Sequence, residues 1–172
     1  MKENILEQLK QHLVPIDSII LDPDNARLHP ERNLETIKSS LVKHGQHRLA
    51  VCQKTDSGVI VRFGNGMVEA ARLLGWKQIA AISVDEDEYA AMSRALADNR
   101  TSDLSTFDKS VLGIQLQALK DADHVLEDIG WIDEEFNLLT NMPDIKSGGE
   151  LDQSDFDNFK HECPKCGFEW ND

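Results

Sequence analysis

The chain has 172 residues, 40% of them hydrophobic, and a formal net charge of −13 at pH 7. This length favours one main domain with an appendage. No apolar run approaches the roughly 18 residues of a membrane span, and the N-terminus lacks a secretory hydrophobic region. We therefore expect a cytoplasmic protein without a membrane segment.

The negative charge is concentrated in the second part of the chain. Residues 1–100 contain 13 Lys and Arg against 14 Asp and Glu, whereas residues 101–172 contain 5 against 17. Because phosphate contacts supply most of the nonspecific affinity for DNA, such an acidic chain is a poor stand-alone DNA clamp. The window 25–54 differs, since it carries a surplus of four positive charges with His29, His44 and His47 nearby. It predicts either an anion-binding surface or a solvated helix face.

Helices and strands alternate through the first hundred residues. Periodicity and turn residues predict, in chain order, a helix at 2–11, a strand at 16–21, a helix around 34–42, strands at 49–54 and 59–63, a helix at 67–74, a strand at 79–84 and a helix at 86–99. A polar loop around Asn25 and Arg27 follows the first strand. The sequence Thr-Asp-Ser-Gly at 55–58 is typical of a hairpin turn.

The remainder of the chain predicts a helical extension and a tail. Ser105 or Thr106 is placed to cap a helix that runs to about Leu119, and another helix is predicted at 132–141. The order of elements predicts an α+β protein with a small mixed β-sheet and flanking helices. Its expected parts are a domain at 1–102, a helical extension at 103–142, an acidic flexible linker at 143–160 and a short zinc-knuckle-like tail at 161–172.

A glycine loop, Gly64-Asn65-Gly66, joins a predicted strand to a predicted helix. Such a loop exposes backbone N–H groups at a helix N-terminus, where the helix dipole also favours an anion such as phosphate. However, the loop lacks the Lys and Ser/Thr of a Walker loop and the third glycine of a dinucleotide fingerprint. Taken alone, it fits either a phosphate cradle or a tight turn.

Four segments together resemble the ParB/sulfiredoxin-like superfamily and its ParB-like nuclease domain. In chain order they are VPIDSIILDPDNAR, SSLVKHGQHRLAV, RFGNGMVEAARLLGW and ALADNRTSDL. The resemblance covers about residues 13–142, and the part after residue 104 is similar to phage and prophage members. It implies the ParB N-terminal/sulfiredoxin-like version of the α+β fold.

The resemblance implies a pocket for a nucleoside triphosphate with Mg²⁺. In the family the triphosphate lies on the glycine loop, so Gly64, Asn65 and Gly66 would form the cradle. The other implied contacts are Asn25, Arg27, Gly45, Asn99 and Arg100.

The chain departs from the family at a position that bears on catalysis. The family's loop arginine falls on Met67, which cannot bind phosphate, and this leaves NTPase or nuclease activity open. Glu69 and Asp98 are weak candidates for a metal ligand or a base, and each also fits a solvated position on a helix. The loop cysteine of sulfiredoxin is missing, so reduction of sulfinic acids is not expected. Cys52 on a predicted strand is expected to be a core residue.

The tail contains Cys163-Pro164-Lys165-Cys166, a spacing typical of a zinc knuckle. His161 is a candidate third ligand for Zn²⁺. A closed structural site needs four ligands, and the fourth would come from His124 or from a partner chain. Because half a site binds zinc weakly, a metal-free tail is the alternative.

Two functions fit these observations. The first is a ParB-like nucleotide-binding protein in a phage or prophage DNA process, such as modification, partition or packaging. The second is a noncatalytic adaptor, or an acidic DNA mimic, that docks a DNA-processing partner such as a methyltransferase or terminase through its tail. Self-association as a homo-oligomer is compatible with either. Direct DNA binding is less favoured, because residues 104–142 contain only Lys109 and Lys120 as basic residues.

Overall fold

The chain folds around a mixed β-sheet. The computed structural model describes residues 3–140, 161–162, 164–167 and 169–170, and within residues 3–140 the sheet has five strands. They are β1 (Leu13–Pro15), β2 (Ile19–Leu21), β3 (Ala50–Thr55), β4 (Gly58–Phe63) and β5 (Gln78–Val84). Their order is β1-β5-β3-β4-β2. The β3–β4 and β1–β5 pairs are antiparallel, whereas the β2–β4 and β3–β5 pairs are parallel.

Helices flank the sheet and continue beyond it. They are α1 (Glu31–Lys43), α2 (Asn65–Leu73), α3 (Glu88–Leu104), α4 (Lys109–Asp121) and α5 (Asp133–Thr140). The predicted α+β class with a mixed sheet and flanking helices is therefore confirmed.

The start of α4 differs from the prediction. Asp108, not Ser105 or Thr106, caps the helix, and its carboxylate accepts hydrogen bonds from the amides of Ser110 and Val111 at 3.0 and 3.2 Å. A carboxylate at this position also interacts favourably with the helix dipole, so it is the better cap.

The N-terminal segment departs from the prediction in two places. The predicted helix at 2–11 is a 3-10 helix at Glu7–His12, and the predicted strand at 16–21 is a 3-10 turn at Ile16–Ser18 followed by β2. The Ser18 hydroxyl donates a 2.6 Å hydrogen bond to the carbonyl of Pro15, and such local bonds compete with strand formation. β1, which no sequence pattern indicated, ends at Pro15 on a sheet edge, where a missing N–H is tolerated.

The sheet forms the main core together with α1 and α2. Its most buried side chains include Ile19, Val61, Val68 and Ile79. Cys52 lies in the same core, and burial raises the pKa of its thiol to about 11. Since the thiolate is the reactive form, Cys52 is an inert core residue.

The helical extension has its own apolar cluster and docks on α1. The cluster contains Leu112, Leu116, Leu126 and Phe136. The contacts to α1 include two polar anchors. Arg32 pairs with Glu135 at 2.7 Å, and Asp128 accepts hydrogen bonds from Ser39 at 3.0 Å and from Lys43 at 3.3 Å.

Acid is expected to weaken this docking. The hydrogen bonds from Ser39 and Lys43 lower the pKa of Asp128, and Arg32 lowers that of Glu135. A carboxyl whose folded pKa is depressed stabilises the fold above its unfolded pKa, and this contribution is lost as the pH falls through the folded value. Unfolded Asp and Glu titrate at about pH 4. The melting temperature, followed by circular dichroism, should therefore decrease when the pH is lowered below that value.

The control for this prediction is the double variant Asp128→Asn/Glu135→Gln. It should be less stable than the wild type at neutral pH and should lose less stability on acidification, because two of the responsible carboxyls are gone. Equal acid responses of the two proteins would contradict the assignment.

Residues 141–172 form a unit separate from residues 1–140. In its described part, β6 (His161–Glu162) pairs antiparallel with β7 (Glu169–Trp170). Cys166 is exposed in the connection, whereas Cys163 and the predicted linker at 143–160 lie outside the described residues. The predicted boundary between residues 102 and 103 falls inside α3. Among the described residues, no helix combines the length and apolar character needed to cross a membrane.

Candidate functional site

A cavity of about 590 Å³ is lined by α1, α3, the first turn of α2 and the loop between β2 and α1. α1 contributes a mostly polar wall through Asn33, Thr36 and Ser40. The floor comes from residues 62–67, where β4 runs into α2. This volume lies within the usual range of about 300–1,000 Å³ for small-molecule sites.

The N-terminus of α2 opens on this cavity. Gly64 is the N-terminal cap with φ +89°, a backbone conformation that favours glycine, and no side chain caps the helix. The helical hydrogen bonds begin when the amide of Val68 donates to the carbonyl of Gly64 at 2.9 Å. Residues 65–67 line the cavity, and their N–H groups precede that first helical hydrogen bond. They are donors for an anion, and the helix dipole adds a favourable field.

The side chain of Asn65 holds the loop together. It is 8% exposed. Its Nδ2 donates to the carbonyl of Val61 at 3.1 Å, and its Oδ1 accepts from the amide of Asp22 at 3.0 Å. Both ends of the amide are therefore engaged within the protein.

Arg27 connects the β2–α1 loop to α3. Its guanidinium pairs with the carboxylate of Asp103 and donates to the carbonyl of Asn99 at 3.4 Å. Asn25 fixes the loop, because its side chain bonds both the amide and the carbonyl of Arg27, at 3.2 and 2.8 Å. The Arg27–Asp103 pair is half-exposed, and exposed ion pairs contribute only about 0–1 kcal/mol. An anionic ligand can therefore replace Asp103 at little cost.

Arg62 forms a buried part of the cavity wall that the sequence motifs did not single out. Its side chain is 10% exposed and pairs with Asp22, 8% exposed, at 2.7 Å. Its Nε and Nη2 both donate to Oε1 of Gln53, at 2.9 and 2.7 Å. The sequence feature that indicates Arg62 is a charged residue within the apolar strand predicted at 59–63.

The structure brings most of the predicted nucleotide contacts together and leaves two outside. The lining includes Asn25, Arg27, Gly64, Asn65, Gly66 and Asn99. Gly45 and Arg100 do not belong to it. On α3, the lining positions are 95, 98, 99 and 102, which share one helix face, and residue 100 points about 100° away from residue 99.

Gly45 has a packing role instead. It has φ +77°, and a Cβ on it would lie 2.8 Å from Oδ1 of Asn4. Its place is therefore beneath the N-terminal segment, whose Asn4 side chain donates to the carbonyl of Val42 at 3.0 Å.

The two weak catalytic candidates separate in the same way. Asp98 lines the cavity, whereas Glu69 does not. Met67 is 6% exposed, and its Cε would lie 3.2 Å from a Cβ built on Gly64. Among the described residues, no group of three or more His, Cys, Asp and Glu side chains is arranged to hold a metal ion. The predicted zinc ligand Cys163 lies outside those residues.

Comparison with protein-family models gives no match, and comparison with curated proteins gives none either. Solved structures do match. C-terminally truncated chromosome-partitioning protein ParB from Caulobacter crescentus, complexed with CTP-gamma-S, superposes with a TM-score of 0.64 at 16% identity, over 77% of this chain and 79% of that one.

Two further structures match with lower TM-scores. ParB from the same organism, complexed to the centromeric parS site, gives a TM-score of 0.45 at 17% identity, over 77% of this chain and 73% of that one. Sulfiredoxin from Arabidopsis thaliana gives 0.40 at 16% identity, over 49% of this chain and 96% of that one. The first similarity identifies the architecture, and it agrees with the strand order and flanking helices described above. The chain therefore has the fold of this chromosome-partitioning protein.

Proposed function

We propose that this protein binds a nucleoside triphosphate in the cavity and serves a DNA-related process. The observation that carries the proposal is the uncapped N-terminus of α2 in the wall of a cavity that also contains Arg27, Arg48 and Arg62. Backbone donors, a helix dipole and guanidinium groups together suit a polyphosphate. The chromosome-partitioning ParB of the same fold was solved with CTP-gamma-S, which supports both the ligand class and the DNA-related role.

Positive charge near the cavity allows this acidic protein to bind a polyphosphate. The chain as a whole carries −13, but the Arg and Asp residues that line the cavity are three arginines, Arg27, Arg48 and Arg62, and one carboxylate, Asp98. Low-dielectric cavity walls concentrate such local fields. The phosphates would lie against residues 64–67, with Arg27 as a planar fork on the side of α3.

Asp98 is the lining residue suited to hold Mg²⁺ with the bound triphosphate. Mg²⁺ in nucleotide sites is commonly bound through one or two carboxylates, substrate phosphates and water. When bound, the ion would neutralise phosphate charge. Hydrolysis is a separate matter, because neither Met67 nor the internally bonded Asn65 side chain supplies a catalytic group.

Isothermal titration calorimetry tests the proposal. CTP, ATP and GTP are titrated into the full chain with and without Mg²⁺, and at least one should give saturable binding with a Kd below about 1 mM, or about −4 kcal/mol. Arg27→Ala should weaken that binding, whereas Arg100→Ala should not, because only the first residue lines the cavity. Absence of binding by all three nucleotides at millimolar concentration would overturn the proposal.

The adaptor role is the second candidate, and the charge distribution favours it. Residues 101–172 hold 17 acidic against 5 basic residues, and a separate hairpin follows the helical extension. The partner proposed for this acidic part of the chain is a phage or prophage methyltransferase or terminase. Zinc bound by His161, Cys163 and Cys166 belongs to the same proposal, since a metal would stabilise so small a hairpin. Capture of such a partner by the full chain, and not by a chain ending at residue 140, tests it.

A further inference from the structure

His29 packs directly on the first turn of α2. A Cβ built on Gly66 would lie only 2.7 Å from both Cε1 and Nδ1 of His29, so the imidazole covers the backbone at Gly66. His29 is half-buried and lines the cavity. Gly66 is therefore the residue that makes room for the ring. This places an imidazole beside the N–H groups assigned above to the phosphates.

The hydrogen bond at Nδ1 of His29 determines whether Nε2 donates or accepts a hydrogen bond. Nδ1 lies 2.8 Å from Oδ1 of Asn33. An amide oxygen only accepts, so with the Asn33 amide in this orientation Nδ1 is the donor. The neutral ring then carries its lone pair on Nε2, which repels an anionic oxygen. Protonation places a second N–H on Nε2 and adds a positive charge, so only the imidazolium can bind a phosphate oxygen.

We infer that His29 is a phosphate-binding residue of this cavity and that nucleotide binding takes up a proton on its ring. The proton comes from solvent and resides on Nε2, and a phosphate oxygen accepts the resulting hydrogen bond. Asn33 is a positioning residue that holds Nδ1 as the other donor. This inference rests on the proposed nucleotide-binding function and adds a residue and a proton linkage to it.

The charges around His29 nearly cancel, so the negative charge of a bound ligand decides which form of the ring is favoured. Among the lining residues, those of α1 and of the first turn of α2 are uncharged, and the arginines are Arg27, Arg48 and Arg62. Asp103 and Asp22 already pair with Arg27 and Arg62, and Asp98 is the nearby carboxylate on α3. A triphosphate brings several negative charges into this nearly balanced set and favours the imidazolium.

Binding of inorganic tripolyphosphate at several pH values tests the inference. The wild type is compared with His29→Gln, which keeps a polar side chain without the titration, and with the matched control His44→Gln, whose exposed side chain is not part of the cavity lining. An ordinary imidazole changes from mostly neutral to mostly protonated when the pH is lowered from about 8 to about 6. On that change of pH, the wild type should therefore gain about tenfold more affinity than His29→Gln does, and His44→Gln should behave like the wild type. Protonation of the ligand affects all three proteins equally and cancels in the comparison.

Histidine NMR of the wild type gives a second measurement that does not depend on a variant folding. The titration midpoint of the His29 ring should move to higher pH when tripolyphosphate is bound. Binding with an unchanged His29 midpoint, or an equal pH dependence in wild type and His29→Gln, would overturn the inference and leave the proposed function standing. Absence of binding by tripolyphosphate and by all three nucleotides at either end of the pH range would overturn both.

Discussion

Gly66→Asp is expected to weaken nucleotide binding by at least about 100-fold, or about 2.7 kcal/mol. The new carboxylate would lie at the N-terminus of α2, where the proposed site receives phosphate, and like charges brought together in a site cost several kcal/mol. Its Cβ would also displace the His29 ring, which is 2.7 Å away. Calorimetry with the nucleotide that binds best to the wild type measures the effect.

The fold should survive this substitution. Gly66 is helical, without the positive φ of Gly64. Replacing a helical glycine removes a penalty of about 1 kcal/mol, and Asp in a first helical turn is favoured by the dipole. These gains oppose the cost of moving His29, so a melting temperature near that of the wild type is expected.

Gly66→Asn is the matched control, because it has almost the same shape without the charge. It should displace His29 equally but weaken nucleotide binding less than Gly66→Asp by about tenfold or more. Equal losses in both variants would show that bulk alone closes the site. Wild-type affinity in both would show that the nucleotide does not lie on α2.

Arg62→Met is expected to lower the free energy of unfolding by about 3–5 kcal/mol. The substitution leaves the carboxylate of Asp22, 8% exposed, without its cation, and a buried charge that loses its partner is strongly destabilising. Oε1 of Gln53 also loses both donors. Chemical denaturation followed by circular dichroism gives the free energy.

Two comparisons identify the cause of that loss. Arg32→Met makes the same substitution in an exposed pair, Arg32–Glu135, and should cost about 1 kcal/mol or less. Adding Asp22→Asn to Arg62→Met should recover part of the stability, because the stranded charge is removed. If Arg62→Met and Arg32→Met cost the same, the burial of the Arg62–Asp22 pair does not stabilise the fold.

The elements with strong local signals could be predicted from the sequence. The hairpin of β3 and β4 has turn residues at 55–58, and α2 lies between Gly64 and Gly75, so their observed bounds are close to the predicted ones. β1 and β2 have only three residues each, and their existence depends on pairing with β5 and β4, which are distant in sequence. No local pattern contains that information.

The candidate site shows the same division. The glycine loop, Asn25, Arg27 and Asn99 line one cavity, and their contact with a nucleotide stays a prediction. The distinction between Asn99 and Arg100 depends on how α3 is rotated, and the contact of His29 with Gly66 depends on how two loops pack. Both are tertiary facts. A histidine in a basic window gives no indication by itself that its ring covers the start of another helix.

α1 lies between the cavity and the helical extension, so the extension can report on ligand binding in the cavity. Positions 33, 36 and 40 line the cavity, while Arg32, Ser39 and Lys43 anchor the extension. Because α1 contacts both, we expect a shift of this helix at the cavity to change its contacts with the extension. Amide hydrogen exchange in the segment 126–140, which supplies none of the cavity lining, should therefore change when the cavity is occupied.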